Sequence, residues 1–557
     1  MSNEKEILEE QYKEPEEVIQ HVKPDIDPQR PTSGDEEKVS PSSDQEPTKE
    51  QGEKTPDIEL ARIPSGPAYS AFTHKQKQFI VFMVACAGFF SPLSANIYFP
   101  ALNTLAADLH VSETLINLTL TSYMIFQGLA PTFYGDLADI AGRRPAYIVG
   151  FVIYIAACIG IALSDSYAAL FVLRCLQSSG SSGTIALGSG VVADIATSSE
   201  RGTWMGWATS GPMLAPAIAP VLGGILSQFL GWPSIFWFLT ILAGIFFIPL
   251  VLLFPETGRN VVGDGSIPPQ GWNMSLLTYL QVRKARKTSP TTRPRTVPNK
   301  QPLRWPNPLN VLRIVFQKQT GLLLAYNSLV YTAFYDVIAS TPYLLRRIYA
   351  FNDLEIGLCF LPFGVGCLFA PTISGRLCDR NYRRHAARLG IPIDRKRGES
   401  MRDLPIERIR LEVAAPLLAV GTATILCYGW VMYAETHLTA PMVLHFVMGL
   451  TLMGGFNATS VLIVDLYLEA PATATASNNL VRCLVGAGGT AVIVMMIEGM
   501  GVGWCFTFIA GVVAAASPIL WVLVEKGPRW REERRVRDEE RRRKRQMEAE
   551  EKLGMAG

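Results

Sequence analysis

The sequence predicts an all-α membrane protein with twelve transmembrane helices, and three observations carry that prediction. The 557-residue chain is 48% apolar but only 18% charged, against about 25% charged residues in a typical soluble domain. Its charges concentrate in segments 1–77, 255–318, 379–412 and 525–557, which leaves 22 of them for the other 349 residues. Long apolar stretches fill that remainder. So few charges exclude an ordinary soluble enzyme and a secreted disulfide scaffold, because such a surface would not stay hydrated.

Twelve apolar stretches are long enough to cross a bilayer core about 30 Å thick, which takes roughly 20 helical residues. They lie at about 79–101, 114–134, 146–164, 168–193, 205–226, 234–254, 320–344, 354–377, 413–433, 441–466, 476–497 and 503–524. The eighth and tenth are rich in glycine, as is normal where helices pack closely in lipid. These continuous runs also differ from the short alternating strands of a membrane β-barrel.

The basic residues of the loops orient the chain with both termini in the cytoplasm. In that orientation the inner loops carry Arg143 and Arg144, and the inner segments 255–318 and 379–412 hold eleven and ten basic residues. The outer loops carry almost none, with the pair Arg346–Arg347 as the exception. The opposite orientation would place about twenty basic residues outside, against the positive-inside rule.

Five parts of the chain follow from this topology. They are a disordered acidic cytoplasmic tail (1–77), an N-terminal six-helix bundle (78–254), a basic cytoplasmic linker (255–318), a C-terminal six-helix bundle (319–525) and a charged cytoplasmic tail (526–557). The first tail holds 18 acidic and 10 basic residues, a composition that cannot bury enough apolar surface to fold. The last tail mixes charges of both signs and predicts an exposed helix.

Cysteine and histidine spacing predicts neither a metal site nor a catalytic centre. None of the nine cysteines forms a CxxC pair, and the six histidines are scattered. No phosphate-binding G-x-x-x-x-G-K-[ST] loop is present, so ATP hydrolysis is not expected. We therefore expect no enzyme activity, no cofactor and no nucleic-acid partner. The expected partners are the lipid bilayer, small organic molecules and protons, and the expected state is a monomer.

A repeated loop motif indicates two related halves. The pattern G-x-L-x-D with paired Arg follows the second apolar stretch and recurs 240 residues later, after the eighth. The candidate gating residues are Gly135, Asp139, Gly142, Arg143 and Arg144 in the first copy and Gly375, Asp379 and Arg380 in the second. Asp194 and Asp465 end the fourth and tenth stretches as a second echo. Such repeats are typical of secondary transporters with a cavity between the halves, although the positive-inside rule alone would also explain the Arg pair.

Three ionisable residues within the apolar stretches are candidates for proton coupling: Asp336, Arg174 and Arg482. A charge near the bilayer centre costs about 2.5–3.5 kcal/mol on insertion scales, so these side chains should face the bundle interior. Asp336 is the deepest acid, and its alternative role is a structural hydrogen bond or an ion pair across the cavity. Arg174 either relays charge or stiffens its helix, and Arg482 either relays charge or anchors its helix.

Polar and aromatic residues on several stretches are candidates for the lining of a substrate cavity. They are Asn96, Tyr98, Gln127, Gln177, Asn327, Tyr331, Tyr335, Asn457 and Asn478. Aromatic rings accept flat apolar or cationic ligands, and amides add orienting hydrogen bonds. Ordinary packing is the alternative for any one of them.

Several of these motifs carry a resemblance to a known family. They include the first-half loop, with Ile140 in place of a basic residue, and the segments Asn96–Leu102, Arg174–Gly180, Pro255–Thr257 and Asn478–Arg482. The chain resembles the major facilitator superfamily, within it the fungal twelve-spanner drug:proton antiporters, and most specifically multidrug exporters of the quinidine-resistance type. The fifth stretch resembles the antiporter motif of that family, with Ala in two Gly positions, at Gly206, Ala215, Ala219, Pro220, Gly223 and Gly224.

The resemblance implies the major facilitator fold and proton-driven export of small organic molecules or drugs by alternating access. It also favours a role for Arg174 in proton transfer. The plasma membrane is the expected location, with a vacuolar or other internal membrane as the alternative. Two other functions stay open: an exchanger or importer of a natural metabolite such as a polyamine, organic acid or amino-acid derivative, and a nutrient sensor that does not transport. The polar residues within the stretches fit the sensor poorly.

Overall fold

The computed structural model describes residues 70–196, 200–267, 269, 271–280, 283, 309–390, 404–467 and 471–554. The described residues contain helices and connecting turns, and no strand occurs among them. Most of the acidic tail and residues 284–308 of the basic linker lie outside this described part, as do the predictions made for them.

Twelve long helices correspond to the twelve predicted stretches. They are α1 (His74–Asn96), α2 (Glu113–Ala141), α3 (Arg143–Ala162), α4 (Tyr167–Ile195), α5 (Arg201–Leu230), α6 (Pro233–Leu253), α7 (Lys318–Tyr349), α8 (Leu361–Arg388), α9 (Ile406–Tyr433), α10 (Thr439–Leu466), α11 (Pro471–Met500) and α12 (Val502–Ala516). A thirteenth helix, α13 (Pro518–Gly554), continues from α12 into the charged C-terminal segment. Shorter helices lie at Phe99–Ala101, Leu102–Asp108, Arg259–Val262, Gly271–Asn273, Leu309–Val315 and Asp353–Cys359.

Ten helical segments of the described chain are apolar and long enough to cross a membrane. The helices α2 and α4 are not among them, although each has 29 residues. Their mean hydropathy is lowered by polar residues that are buried against other helices, including Asn117 in α2 and Ser178, Ser181 and Ser182 in α4. These two helices therefore place polar groups in the interior of the bundle, where lipid does not reach them.

The first six long helices contact the last six through two pairs of helices, α2 with α11 and α5 with α8. Within the first six, α1 packs on α5, and α4 packs on both α2 and α3. Within the last six, α10 packs on α8 and α9, and α7 packs on α11. Between the two sets, α2 packs on α11 and α5 packs on α8 and on the short helix Asp353–Cys359. The candidate site lies along these two pairs.

Small residues in α5 permit a close approach to its neighbours on both sides. A Cβ atom added at Gly211 or Gly223 would collide with a backbone carbonyl of α1 or of the residue that follows it, Ile97. One added at Gly224 would lie 2.5 Å from the carbonyl oxygen of Asp353. Gly206, by contrast, has no atom within 4 Å of such a Cβ. The close packing expected of the antiporter motif is therefore found at its outer glycines and not at Gly206.

Replacement of Gly223 by Val should destabilise the protein, whereas Gly206→Val should not. Overpacking a tight contact typically costs about 1–3 kcal/mol, because neighbouring backbone must shift. The check is the thermal unfolding midpoint of each purified variant in detergent. Equal midpoints for the two variants would contradict this account of α5 packing.

Candidate functional site

A buried carboxylate ties the two sets of helices together at the predicted outer end. Asp353 accepts hydrogen bonds from Thr104 Oγ1, at 2.7 Å, and from Ser227 Oγ at the end of α5. The Arg346 guanidinium lies 3.5 Å from the same carboxylate. Nearby, the ring of Phe99 stacks on that of Phe360, with centroids 6.1 Å apart. These contacts close the outer end of the bundle.

Charged pairs hold the opposite end of the first six helices. Arg143, the first residue of α3, donates from Nε to Asp194 Oδ2 at 2.9 Å and lies 2.8 Å from Asp139 Oδ1. The preceding Gly142 has φ +108°, a conformation that suits glycine and lets the chain turn from α2 into α3. Both ion pairs of Arg143 lie within the first six helices, and Asp194, at the end of α4, is one of the two partners.

Glu256, in the segment after α6, caps the start of α3 by accepting hydrogen bonds from its backbone. Its carboxylate accepts backbone N–H hydrogen bonds from Arg143, Arg144, Thr257 and Gly258, at 2.8–3.1 Å. Burial raises the pKa of Glu256, and the four N–H donors act in the opposite direction. The Arg144 guanidinium donates to the carbonyl oxygens of Val251 and Trp272. Arg144 thus fixes the end of α6 to α3.

In the second half, the ion pair that corresponds to Arg143–Asp194 is made by an arginine outside the repeated motif. Arg410, near the start of α9, donates from Nε to Asp465 Oδ2 at 3.0 Å, as Arg143 does to Asp194. Asp379 and Arg380 are exposed instead. Gly375, like Gly135, has no atom within 4 Å of an added Cβ. The sequence did contain a signal for Arg410. Asp194 and Asp465 occupy corresponding positions in the two halves, so a partner of Asp194 at the start of α3 predicts a basic partner of Asp465 at the start of α9.

Breaking the Arg410–Asp465 pair should destabilise the protein more than breaking an exposed pair. Both side chains are about nine-tenths buried, and removing one partner of a buried pair costs about 3–5 kcal/mol. We expect Arg410→Gln to lower the unfolding midpoint and Arg410→Gln/Asp465→Asn to recover part of the loss. The control is Arg408→Gln, since the Arg408–Glu412 pair is exposed and contributes little. A double variant as unstable as the sum of its single variants would refute the pairing.

Arg174 lies fully buried in α4, between two tyrosine rings. Its guanidinium carbon is 4.2 Å from the ring centroid of Tyr98 and 4.4 Å from that of Tyr123. One terminal nitrogen donates to Gln177 Oε1 at 2.6 Å, while Nε and the other terminal nitrogen have no hydrogen-bond partner among the described residues. The Tyr98 hydroxyl lies 2.9 Å from Thr119 Oγ1. Tyr98 and Gln177, predicted to line a cavity, therefore hold Arg174 in position.

Arg482 of α11 is a second interior arginine, and its side chain is partly buried. It donates from two nitrogens to Asn479 Oδ1, at 3.1 and 2.7 Å. Its guanidinium carbon lies 4.8 Å from the ring centroid of Tyr331 and 5.4 Å from that of Phe456. Tyr331 packs in turn on Tyr335, with centroids 4.5 Å apart. Neither Arg482 nor Arg174 has a carboxylate within 4.0 Å in the described part of the chain.

A small cavity lies against Arg174, between the two sets of helices. Its volume is about 10 Å³, room for about one water molecule. It is lined by Ala95, Phe99, Leu120, Tyr123, Met124, Gln127, Arg174, Tyr335 and Thr490. Gln127 Oε1 is also buried without a hydrogen-bond partner among the described residues. Among the predicted cavity residues, Gln127 and Tyr335 thus line this small cavity together with Arg174.

The remaining predicted amides make hydrogen bonds within or between helices. The Asn327 amide donates to Asn478 Oδ1 at 2.8 Å and accepts from Thr459 at 2.6 Å. Asn457 donates to Ser374 Oγ at 3.0 Å, and Asn96 donates to the backbone of its own helix. The structure does not bring these four amides to the Arg174 cavity.

Asp336 is not among the residues that line that cavity, although its neighbour Tyr335 is, and it lies on the face of α7 that packs against α11. A Cβ atom at Gly489 would lie 2.8 Å from Asp336 Oδ1 and 3.0 Å from Oδ2, so the carboxylate occupies the space that this glycine leaves. Oδ1 has no hydrogen-bond partner among the described residues. In the described part of the chain Asp336 forms no ion pair within 4.0 Å with Arg174 or Arg482.

Comparisons with known proteins agree with this architecture. The chain is 46% identical over 465 residues to the MFS-type transporter phiD of Fungal sp. (strain ATCC 74256), a match covering 84% of this chain and 70% of that one. It is 37% identical to Citrate exporter 1 of Aspergillus niger, covering 85% and 90% of the two chains. A crystal structure of a D-xylose-proton symporter shares the fold, with a TM-score of 0.56 at 14% identity over 79% of this chain and 96% of that one.

The family model of the Major Facilitator Superfamily matches residues 84–490. That range runs from α1 to α11 and includes both copies of the loop motif, Arg174, Arg482 and the interface between the two sets of helices. The chain is a multi-pass membrane transporter and belongs to the Major Facilitator Superfamily.

Proposed function

We propose that the chain exports organic carboxylates from the cell in exchange for protons. The observation that carries the proposal is Arg174, which is fully buried and whose Nε and one terminal nitrogen have no hydrogen-bond partner, and no carboxylate within 4.0 Å, among the described residues. A buried charge without a partner is costly, and a guanidinium offers a fork of donors that fits a carboxylate. The missing partner is therefore best supplied by an anionic substrate.

Arg482 strengthens this proposal because it adds a second positive charge from the other set of helices. A substrate with two or more carboxylates would engage both arginines when the small cavity widens. The similarity to a citrate exporter supports an organic acid of this kind. The expectation of cationic drugs has less support, since guanidinium groups already occupy the faces of Tyr98, Tyr123 and Tyr331.

Proton exchange rests on Asp336. Asp336 is buried in α7, and its Oδ1 has no hydrogen-bond partner among the described residues, so a bound proton is what would neutralise this carboxylate away from water. Movement of α7 against α11 would change the exposure of this group and allow it to release the proton. Because Asp336 forms no ion pair with either arginine and does not line the Arg174 cavity, we propose that substrate and proton bind at different places and are coupled through these helices.

Cells that express the chain provide the first test. We expect them to retain less citrate and related di- and tricarboxylates than control cells, with unchanged accumulation of a cationic dye and of azole drugs. Cells that express the Arg174→Gln variant at the same level should behave like the control. Reduced accumulation of the dye or the azoles, with unchanged organic acids, would contradict the proposal and favour the multidrug exporter.

A further inference from the structure

A groove of about 220 Å³ lies where α13 crosses the start of α7. It is lined by Phe316, Gln317, Lys318, Gln319, Trp530, Glu533, Arg534 and Arg537. Lys318 is the first residue of α7, so the groove lies at the predicted cytoplasmic surface of the membrane. It is separate from the Arg174 cavity and shares no lining residue with it.

The groove is held open by contacts that fix α13 to the rest of the bundle. Arg534 donates to the carbonyl oxygen of Leu466 at 2.6 Å and stacks over Tyr467, 4.3 Å from the ring centroid. Arg531 lies 3.5 Å from the fully buried carboxylate of Glu407. Through these contacts the part of α13 just beyond the predicted membrane surface is packed against the bundle and forms one side of the groove.

Positive charge dominates the groove. Lys318, Arg534 and Arg537 face one acid, Glu533, and Lys318 forms no ion pair with another described residue. The start of α7 adds to this potential, since its N-cap makes no side-chain hydrogen bond and its first N–H groups have no acceptor within the helix. A helix N-terminus of this kind favours a phosphate group.

A buried acceptor also lines the groove. Gln319 is only 4% exposed, and its Nε2 donates to Glu407 at 2.9 Å, while its Oε1 has no hydrogen-bond partner among the described residues. That oxygen calls for a donor, such as a hydroxyl group. The rim is apolar, because Phe316 is 83% exposed and Trp530 lies beside it. Aromatic residues at this depth are typical of contact with the lipid interface.

We propose that the groove binds the headgroup of an anionic phospholipid that carries hydroxyl groups, as phosphatidylinositol does. Its phosphate lies against Lys318, Arg537 and the start of α7, and a headgroup hydroxyl donates to Gln319 Oε1. The exposed Phe316 packs on the acyl chains. The bound lipid thereby joins α13 to α7. This inference does not depend on the identity of the transported substrate.

The test uses the purified full chain in nanodiscs of phosphatidylcholine, with and without one tenth phosphatidylinositol. Retained lipid is counted by native mass spectrometry, and unfolding midpoints report the fold. The variant Lys318→Gln/Arg537→Gln should bind phosphatidylinositol about thirtyfold more weakly, because each basic residue near a membrane surface contributes to anionic lipid binding. The matched control, Arg543→Gln/Lys544→Gln, removes the same charge from exposed positions of α13 outside the groove and should bind like the unmodified chain.

Three outcomes would overturn the proposal. One is equal retention of phosphatidylinositol by the groove variant and the unmodified chain. Another is an equal loss for the groove and control variants, which would show a diffuse effect of charge on α13. The third concerns the unfolding midpoint in phosphatidylcholine nanodiscs. If inorganic phosphate alone raises this midpoint as much as phosphatidylinositol does, the groove is a site for a free anion. If the double groove variant has a lower unfolding midpoint than the unmodified chain in pure phosphatidylcholine, the single variant Lys318→Gln takes its place in the same comparison.

Discussion

Replacing Arg174 by Gln is expected to weaken carboxylate binding by a factor of about 30 or more while the protein stays folded. Loss of one partner of a buried, hydrogen-bonded charge pair typically costs about 2–5 kcal/mol, and each 1.4 kcal/mol is a factor of ten in affinity. Because the substrate-free site holds an uncompensated charge, the variant should also unfold at the same temperature as the unmodified chain or higher. The measurements are citrate uptake by proteoliposomes over a range of concentrations and the unfolding midpoint without substrate.

Two companion variants separate recognition from structure. Arg174→Lys keeps the charge but loses the donor fork, so it should fall between the Gln variant and the unmodified chain. Arg384→Gln removes an exposed charge from α8 and should leave citrate uptake unchanged. A lower unfolding midpoint for Arg174→Gln with unaltered citrate affinity would mean that Arg174 only stiffens α4.

Replacing Asp336 by Asn is expected to remove the part of transport that depends on a pH gradient. The amide has the shape of the carboxyl group but cannot bind and release a proton. A difference of one pH unit is worth about 1.4 kcal/mol per proton, so the unmodified chain should gain up to tenfold in its substrate gradient for each proton exchanged. The variant should gain nothing, although it should still exchange labelled for unlabelled citrate at equal pH.

The control for this variant is Asp165→Asn, an exposed acid in the loop between α3 and α4. It should keep the full dependence on the pH gradient. An Asp336→Asn variant that still concentrates citrate in proportion to the gradient would show that protons enter by another group or that the anion moves without them. In the second case the membrane potential alone would favour export, at about 2.3 kcal/mol per charge for 100 mV.

The positions of the helices were predictable because a membrane helix needs one long apolar run, and such runs are visible in the sequence. The same reasoning identified Arg174 and Arg482 as interior residues, since a charge in an apolar stretch has to avoid lipid. Two of the predicted helices, α2 and α4, are less apolar than the other ten, because they carry Ser and Asn residues that are buried against other helices. Hydropathy alone does not distinguish a helix that faces lipid from one that faces other helices.

Side-chain partners were less predictable, since they depend on how helices far apart in sequence pack. Tyr98 and Gln177 have the composition of cavity residues, but the rotation of their helices places them around Arg174. Arg410 was missed because α8 continues to Arg388, so the Arg pair of the second copy, Arg383 and Arg384, lies within α8 and not at the start of the next helix. The residue that pairs with Asp465 lies at the start of α9 instead, beyond residues 391–403. Repeated sequence thus revealed related halves but not every residue that performs the repeated role.

The most direct measurement follows protons and citrate in the same vesicles. Proteoliposomes are loaded with labelled citrate and an internal pH-sensitive dye and are then placed in a more acidic buffer. We predict that citrate leaves faster than from protein-free vesicles and that the lumen acidifies in fixed proportion to the citrate lost, with both signals absent for Arg174→Gln. Citrate efflux without matching acidification, or equal efflux from the Arg174→Gln vesicles, would contradict export of carboxylates in exchange for protons.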